Sequence, residues 1–124
     1  MASRYVLHQN VKGSYYFTLV THSGQVLLTS GIYSEKDRAL RSISLARHRA
    51  RHKENFQIIT EEDGKSYFVL SNDTYDVLAE SELFTDRESL QKGIYLVKGN
   101  THGARLEDTT VPPPPPKLRN GKRF

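Results

Sequence analysis

The amino-acid sequence predicts an α+β fold: a tandem βββα repeat that forms one antiparallel sheet with two helices packed on one face. The first observation behind this prediction is an internal repeat, since residues 16–47 recur without a gap 51 residues later as residues 67–98. The second is that both copies contain short runs of aromatic and β-branched residues separated by turn residues. The third is a Ser/Thr-x-x-acid sequence before an apolar stripe with helical spacing in both copies.

Three strands are predicted in each copy because β-prone runs of four to six residues follow one another at short intervals. The chain between them is too short for anything but hairpins, so each copy should form an antiparallel meander. The predicted strands of the first copy cover about residues 5–9, 15–20 and 25–30. In the second copy the first strand begins near Phe56, and the other two cover residues 66–70 and 76–81.

The predicted turns lie at equivalent positions of the two copies. Gly13 and Gly64 supply the positive φ that the first hairpin of each copy requires, and Gly24 does so in the second hairpin of the first copy. The second copy has Asn72-Asp73-Thr74 instead, where Asn and Asp tolerate the left-handed conformation.

Two helices are predicted after the meanders, at about residues 35–49 and 86–98. Ser34 with Asp37, and Thr85 with Glu88, have the spacing of a capping box. Gly99-Asn100 should end the second helix, and residues 104–107 can form a last strand. The apolar stripes expected to face the sheet are Ala39, Ile43 and Ala46 in the first helix, and Leu90, Ile94 and Val97 in the second.

We predict a single domain at residues 1–110, made of repeats at about 4–53 and 55–108, followed by a disordered tail at residues 111–124. Five consecutive prolines at 112–116 favour polyproline II and cannot enter a sheet. The tail is either a spacer or a contact segment. The charge of its four basic residues accounts for the whole formal net charge of +4. The candidate tail contacts are Lys117, Arg119, Lys122 and Arg123.

Short motifs stand at equivalent positions of the two copies: Tyr16-Phe17-Thr18-Leu19, residues 25–30 and Tyr33, then Tyr67-Phe68-Val69-Leu70, Ser81, Phe84 and Gly93-Ile94. With these motifs the chain resembles the YegP-like family of small bacterial proteins over about residues 4–107. The resemblance implies a tandem β(3)-α repeat with one shared sheet, in which one half contributes a strand to the other and which single-copy relatives build as dimers. It implies no established activity. The sequence departs from the family pattern at Ser42, Arg49 and Tyr75.

Charge is segregated along the chain. Residues 38–53 contain six Lys or Arg and no acid, whereas residues 54–86 contain nine acids and Lys65 as the only base. This segregation favours head-to-tail contacts or an anionic partner, although a solvated helix end beside acidic loops is the simpler interpretation. The candidate interaction patch comprises Arg38, Arg41, Arg47, His48, Arg49, Arg51, His52 and Lys53.

No motif indicates catalysis, so we expect neither an enzyme nor a bound cofactor. The chain has no cysteine, no phosphate-binding glycine loop and no nucleophile with a recognisable base. His48 and His52 have the i,i+4 spacing of a zinc helix, but arginines surround them and no glutamate follows His48, so we expect no metal. The lack of a signal-peptide pattern and of any apolar run of about 20 residues predicts a cytoplasmic protein without membrane contact.

The first functional hypothesis is therefore a non-enzymatic interaction module that binds a protein partner or itself, because helices would cover only one sheet face. The alternative is weak nucleic-acid binding through the basic segment 38–53 and the tail. Outward-facing strand aromatics would then stack on bases, with Tyr15, Tyr16, Tyr67 and Tyr75 as the candidates.

Overall fold

The structure is a computed structural model that describes residues 3–111, so the predicted tail contacts Lys117, Arg119, Lys122 and Arg123 lie outside the described residues. Seven strands and two helices follow the predicted order. In this described part of the chain, no helix is long and apolar enough to cross a membrane. The elements are β1 (Arg4–Gln9), β2 (Tyr15–Val20), β3 (Val26–Ser30), α1 (Lys36–Arg49), β4 (Phe56–Thr60), β5 (Ser66–Ser71), β6 (Val77–Glu80), α2 (Arg87–Thr101) and β7 (Arg105–Asp108).

The predicted α+β fold is confirmed, with all seven strands in one sheet of order β4-β5-β6-β3-β2-β1-β7. The two meanders meet where β3 pairs antiparallel with β6, so an approximate two-fold axis relates the halves. The outermost pair corrects the prediction of a wholly antiparallel sheet, because β7 runs parallel to β1. The chain reaches β7 from β6 through α2, which carries it over the sheet to the far edge. There β7 runs opposite to β6 and therefore in the same direction as β1.

The core lies between one face of the sheet and both helices. Alternate residues of the strands, such as Tyr5, Phe17 and Phe68, are fully buried against the helices in a single apolar cluster. The predicted helix faces are confirmed. The helical residues in that cluster include Ala39, Ile43 and Ala46 of α1, and Leu90, Ile94 and Val97 of α2.

Helix α2 continues past the predicted stop at Gly99-Asn100 and ends at Thr101. Thr101 is fully buried, and its hydroxyl lies 2.6 Å from the hydroxyl of Tyr5. The Asn100 side chain donates to the Leu96 carbonyl, so it bonds one of the helix's last carbonyl groups and does not break the helix. A long-range contact therefore extends α2, and the turn follows at Gly103, whose φ is +77°.

The helix caps lie one residue later than predicted. Asp86, not Thr85, is the N-cap of α2, and its carboxylate accepts from the Ser89 amide at 2.8 Å. This hydrogen bond is the main reason that the pKa of Asp86 is below its ordinary value. The equivalent N-cap of α1 is Glu35, which makes no capping bond and instead pairs with Arg38 at 3.2 Å. Glutamate is one methylene longer than aspartate, and the preferred caps are the shorter side chains.

Replacing Glu35 with aspartate is therefore expected to stabilise the protein by about 0.5–1 kcal/mol, because the shorter carboxylate can accept from the backbone at the start of α1. Chemical denaturation of the two proteins measures the difference. The matched control is Asp86→Glu, which should lower stability by removing the cap that α2 already has. An unchanged or lower stability of Glu35→Asp would contradict this account of the α1 start.

Three hairpin turns form as predicted, with φ of +85° at Gly13, +96° at Gly24 and +86° at Gly64. In the β5–β6 turn, however, the left-handed residue is Tyr75, with φ of +65°, and not Asn72 or Asp73. The Asn72 side chain accepts from the amides of the two residues flanking Tyr75, at 2.9 Å each. These bonds hold the turn around a residue type that rarely adopts this conformation.

Candidate interaction surfaces

Two members of the predicted patch at residues 38–53 are engaged within the fold. Arg47 and Arg49 are half-buried and point to opposite flanks of α1. Arg47 donates to the Ala104 carbonyl beside β7, whereas Arg49 donates to the Ser71 carbonyl of β5 at 2.8 Å. Both guanidinium groups therefore have a structural partner. The exposed members of the patch are Arg38, Arg41, His48, Arg51, His52 and Lys53.

The two histidines of the patch do not share a helix face as predicted. Helix α1 ends at Arg49, and His52 lies beyond it in extended conformation. Their rings still approach edge to face, with centroids 6.4 Å apart. Among residues 3–111 no group of three or more His, Asp or Glu side chains is placed to hold a metal ion.

A basic cleft that the sequence did not predict lies at the end of α2. Its volume is about 810 Å³, and it is lined by Arg4, His22, His102 and Arg105 together with Ser3 and the backbone around Gly99–Gly103. No carboxylate lines it. Arg4 forms an ion pair with Glu107 at 3.2 Å, so an anion there would compete with that carboxylate. These residues come from three separate segments, at residues 3–4, 22 and 99–105, so no local pattern could have revealed the cleft.

A second, smaller cleft joins the basic cleft to the end of α1. It is lined by Arg47, His48 and Arg51 and shares His102 and Gly103 with the larger cleft. Part of the predicted patch is therefore continuous with the basic cleft, whereas Arg38 and Arg41 lie outside both linings.

The strand aromatics are divided between the two faces of the sheet. Tyr15 packs against the core, and Tyr75 lies exposed in the β5–β6 turn. On the face without helices, Tyr16 stacks on His8 with ring centroids 4.6 Å apart. The His8 ring also contacts the Thr18 hydroxyl at 3.0 Å. Burial lowers the pKa of His8, and the nearby Glu107 opposes that shift in part, so the neutral imidazole is favoured on this face.

The β4 edge differs from its counterpart in the other half. Ile58 lies opposite Phe68 of β5. Phe68 directs its backbone toward β6, because its carbonyl accepts from the Ser81 amide at 2.9 Å and its amide donates to the Ser81 hydroxyl at 3.0 Å. In an antiparallel ladder the residue opposite must then direct its own N–H and C=O away from β5. The backbone groups of Ile58 therefore face the outer edge of the sheet.

The equivalent residue in the first half is Leu7, and its outward carbonyl is paired. The carbonyl accepts from the amide of Thr109 at 3.1 Å and from its hydroxyl at 2.6 Å, as part of the contact with the β7 segment. Among residues 3–111 no strand occupies the corresponding position beside β4. The outer edge of β4 is thus open, whereas the equivalent edge of β1 in the other half is covered by β7.

Strand β4 has none of the residues that usually prevent an edge strand from pairing with another strand. Its sequence, Phe-Gln-Ile-Ile-Thr, has no charge, proline or glycine. The opposite edge strand β7 reads Arg-Leu-Glu-Asp, with three charges in four residues. Charged residues and prolines are the common means of preventing edge strands from pairing. Ile58 and Ile59 remain 39% and 37% exposed, so the β4 edge is suited to pairing with another strand.

The comparisons with known proteins confirm the resemblance that the sequence suggested. A family described as "Domain of unknown function (DUF1508)" matches the chain twice, over residues 10–57 and 61–108. UPF0339 protein PA0329 of Pseudomonas aeruginosa is 31% identical over 87% of this chain and 98% of its own length. UPF0339 protein plu2779 of Photorhabdus laumondii is 32% identical over 86% of this chain and 93% of its own.

Two solved structures share the fold. The solution structure of YegP from Escherichia coli, described as a protein of unknown function, has a TM-score of 0.82 at 27% identity and covers 88% of this chain and 94% of its own. UPF0339 protein SO3888 of Shewanella oneidensis has a TM-score of 0.80 at 22% identity, covering 87% of this chain and 92% of its own. None of these relatives carries a name that states an activity, so any function has to be argued from the surfaces above.

Proposed function

We propose that this chain, which belongs to the DUF1508 family of domains of unknown function, is a non-enzymatic interaction module that binds an extended polypeptide by adding a strand to the β4 edge. The observation that carries the proposal is the outward backbone of Ile58, whose counterpart Leu7 is paired. Unpaired N–H and C=O groups along a strand provide main-chain hydrogen bonds for an incoming strand, and the alternating side chains provide selectivity. The polypeptide is either a partner protein or a second copy.

Two observations support a binding role without catalysis. The basic cleft contains cations and histidines but no carboxylate, and its one hydroxyl side chain, Ser3, bonds to Asn100. Four smaller clefts within residues 3–111 likewise lack an acid with a histidine beside it. We also propose a cytoplasmic location, which the absence of cysteine favours because extracellular domains of this size often depend on disulfides.

The test replaces Ile59 on the β4 edge with lysine and measures association with a captured partner or with a second copy. A lysine at this position should abolish binding because charged side chains on an edge oppose strand addition. The matched control is Leu106→Lys on the β7 edge, where leucine is 49% exposed and charge is already present. Equal binding by the two variants would contradict strand addition at β4.

A second candidate function, nucleic-acid binding, is favoured by the basic cleft and its continuity with the end of α1. Arg4, Arg51 and Arg105 could contact phosphates there, and phosphate contacts supply most sequence-independent affinity. We expect RNA or DNA binding that weakens as the salt concentration rises. The slope of log K against log salt concentration should be smaller by about one unit in each of the variants Arg51→Ala and Arg105→Ala, since each removes one cation that contacts phosphate. Arg87→Ala, at the opposite end of α2, is the control and should bind as the unmodified protein does. Salt-independent binding, or an equal decrease in all three variants, would exclude this candidate.

A further inference from the structure

We infer that the strand which pairs with β4 is β4 of a second copy, running antiparallel and centred on Ile58. This inference rests on the proposed strand addition and names its partner. It follows from three features of the edge: the phase of its backbone groups, the neutrality of its sequence and the opposite charges at its two ends.

The phase of the backbone permits a two-fold symmetric pairing. Every second residue of a strand directs its N–H and C=O to the same side, so Ile58 and Thr60 direct both groups to the open edge. Phe56 offers only its carbonyl there, because its amide donates to the Lys53 carbonyl within the chain. When two copies of β4 are antiparallel about Ile58, these residues oppose one another as Ile58 with Ile58 and Phe56 with Thr60. All five residues of each strand then lie within the paired region. A register shifted along the strand would keep the hydrogen-bonding phase only by leaving end residues unpaired.

The charges flanking β4 favour this antiparallel arrangement. The chain enters β4 through Arg51, His52, Lys53 and Glu54, a segment that stays basic overall, and it leaves β4 through the acidic turn that contains Glu61, Glu62 and Asp63. In the register about Ile58, Lys53 lies opposite Asp63, whereas Glu54 lies opposite Glu62 and offsets part of the attraction. Antiparallel copies place the basic segment of each chain beside the acidic turn of the other. Parallel copies would place like charges together, which is unfavourable. The charge segregation noted in the sequence therefore has a geometric meaning at this edge.

The side chains at the centre would complete the contact. Ile58 lies on the side of the helices and Ile59 on the opposite side, and each becomes less exposed when a second strand covers the edge. The paired region is nevertheless only five residues long. The surface area that it buries is therefore well below that of a standard stable interface, which is about 1,600 Å². The association should therefore be reversible and dependent on concentration.

Single-cysteine variants test the register directly, because the chain has no native cysteine. Residues opposed in a hydrogen-bonded pair have Cα atoms about 5.5 Å apart, which is within the range of a disulfide. Ile58→Cys should therefore form a covalent dimer under mild oxidation. Leu106→Cys, on the opposite edge strand, is the control and should remain monomeric. Covalent dimers in equal yield from both variants would contradict the inference.

Charge reversal provides an independent measurement by sedimentation over a range of concentrations. Lys53→Glu and Glu61→Lys should each raise the dimer dissociation constant by about threefold to tenfold at low salt. The double variant restores opposite charges at both ends and should return the constant toward that of the unmodified protein. Additive weakening in the double variant would contradict the antiparallel register.

The outcomes separate the inference from the proposed function. If the protein is a monomer at every concentration and Ile58→Cys forms no dimer, the second copy is not the partner. If Ile59→Lys then still abolishes binding to a different polypeptide, strand addition at β4 stands and only the inference is overturned. If the Ile58 and Thr60 amides of a monomer are protected from hydrogen exchange, the edge is occupied within the chain and both proposals are overturned.

Discussion

Replacing Gly93 with serine, the residue that the first repeat carries at the same position, is expected to destabilise the protein by about 1–3 kcal/mol. A Cβ atom on Gly93 would lie 2.8 Å from Cζ of Phe84 and 3.1 Å from Cε2 of Phe68. These two rings stack on each other with centroids 6.0 Å apart, and Phe68 is buried. Phe68 cannot withdraw because it is buried, and the half-exposed Phe84 can withdraw only by giving up its stack on Phe68, so the added atom costs packing whether Phe84 or α2 moves.

The gain in helix propensity does not offset this clash, since serine exceeds glycine in a helix interior by less than about 1 kcal/mol. Chemical denaturation of Gly93→Ser against the unmodified protein gives the free energy directly. The control is Ser42→Ala at the equivalent position of α1, which is half-exposed and should change stability by no more than about 0.5 kcal/mol. If Gly93→Ser were as stable as Ser42→Ala, close packing would not be the reason for glycine in α2.

The fold was predictable because its determinants are local and occur twice. Strand periodicity, glycine at three hairpin turns and the apolar stripes of both helices can each be read within a few residues. The predicted helix bounds were wrong where a neighbouring acceptor or a long-range contact outweighed the local pattern. Asp86 displaced Thr85 as the cap because it is itself a strong acceptor, and α2 passed Asn100 because Thr101 is buried against Tyr5.

The candidate sites were less predictable because they depend on which segments meet. The openness of the β4 edge follows from the position of β7, and nothing near Ile58 in sequence determines where β7 pairs. The basic cleft likewise requires Arg4, His22 and Arg105 to converge from distant segments. Conversely, the basic segment 38–53 was visible in the sequence, but Arg47 and Arg49 are engaged by the backbone carbonyls of Ala104 and Ser71. The sequence shows which side chains carry charge, whereas the packing determines which of them remain available.

The substitution Arg47→Ala is expected to destabilise the protein by about 2–3 kcal/mol, because this side chain joins α1 to the start of β7. Its guanidinium group donates to the Ala104 carbonyl, and its Cζ lies 5.1 Å from the centre of the Tyr5 ring. Ala104 is buried, so truncation leaves its carbonyl without this charged donor, at a cost of about 1.5–3 kcal/mol. Removing the cation from the face of the ring adds about 0.5–1 kcal/mol, although packing around the shortened side chain can recover part of the total.

The control for Arg47→Ala is Arg41→Ala, on the exposed face of the same helix. Within residues 3–111 no hydrogen bond or ion pair holds the Arg41 side chain, so its removal should change stability by no more than about 0.5 kcal/mol. Arg47→Lys should be intermediate, since lysine keeps the charge but lacks the planar fork. Hydrogen exchange adds a local readout: amides of β7 should exchange faster in Arg47→Ala and at an unchanged rate in Arg41→Ala. Equal stability of the two alanine variants would show that Arg47 does not hold β7 in place, and that the covered edge of the sheet depends on its strand pairing alone.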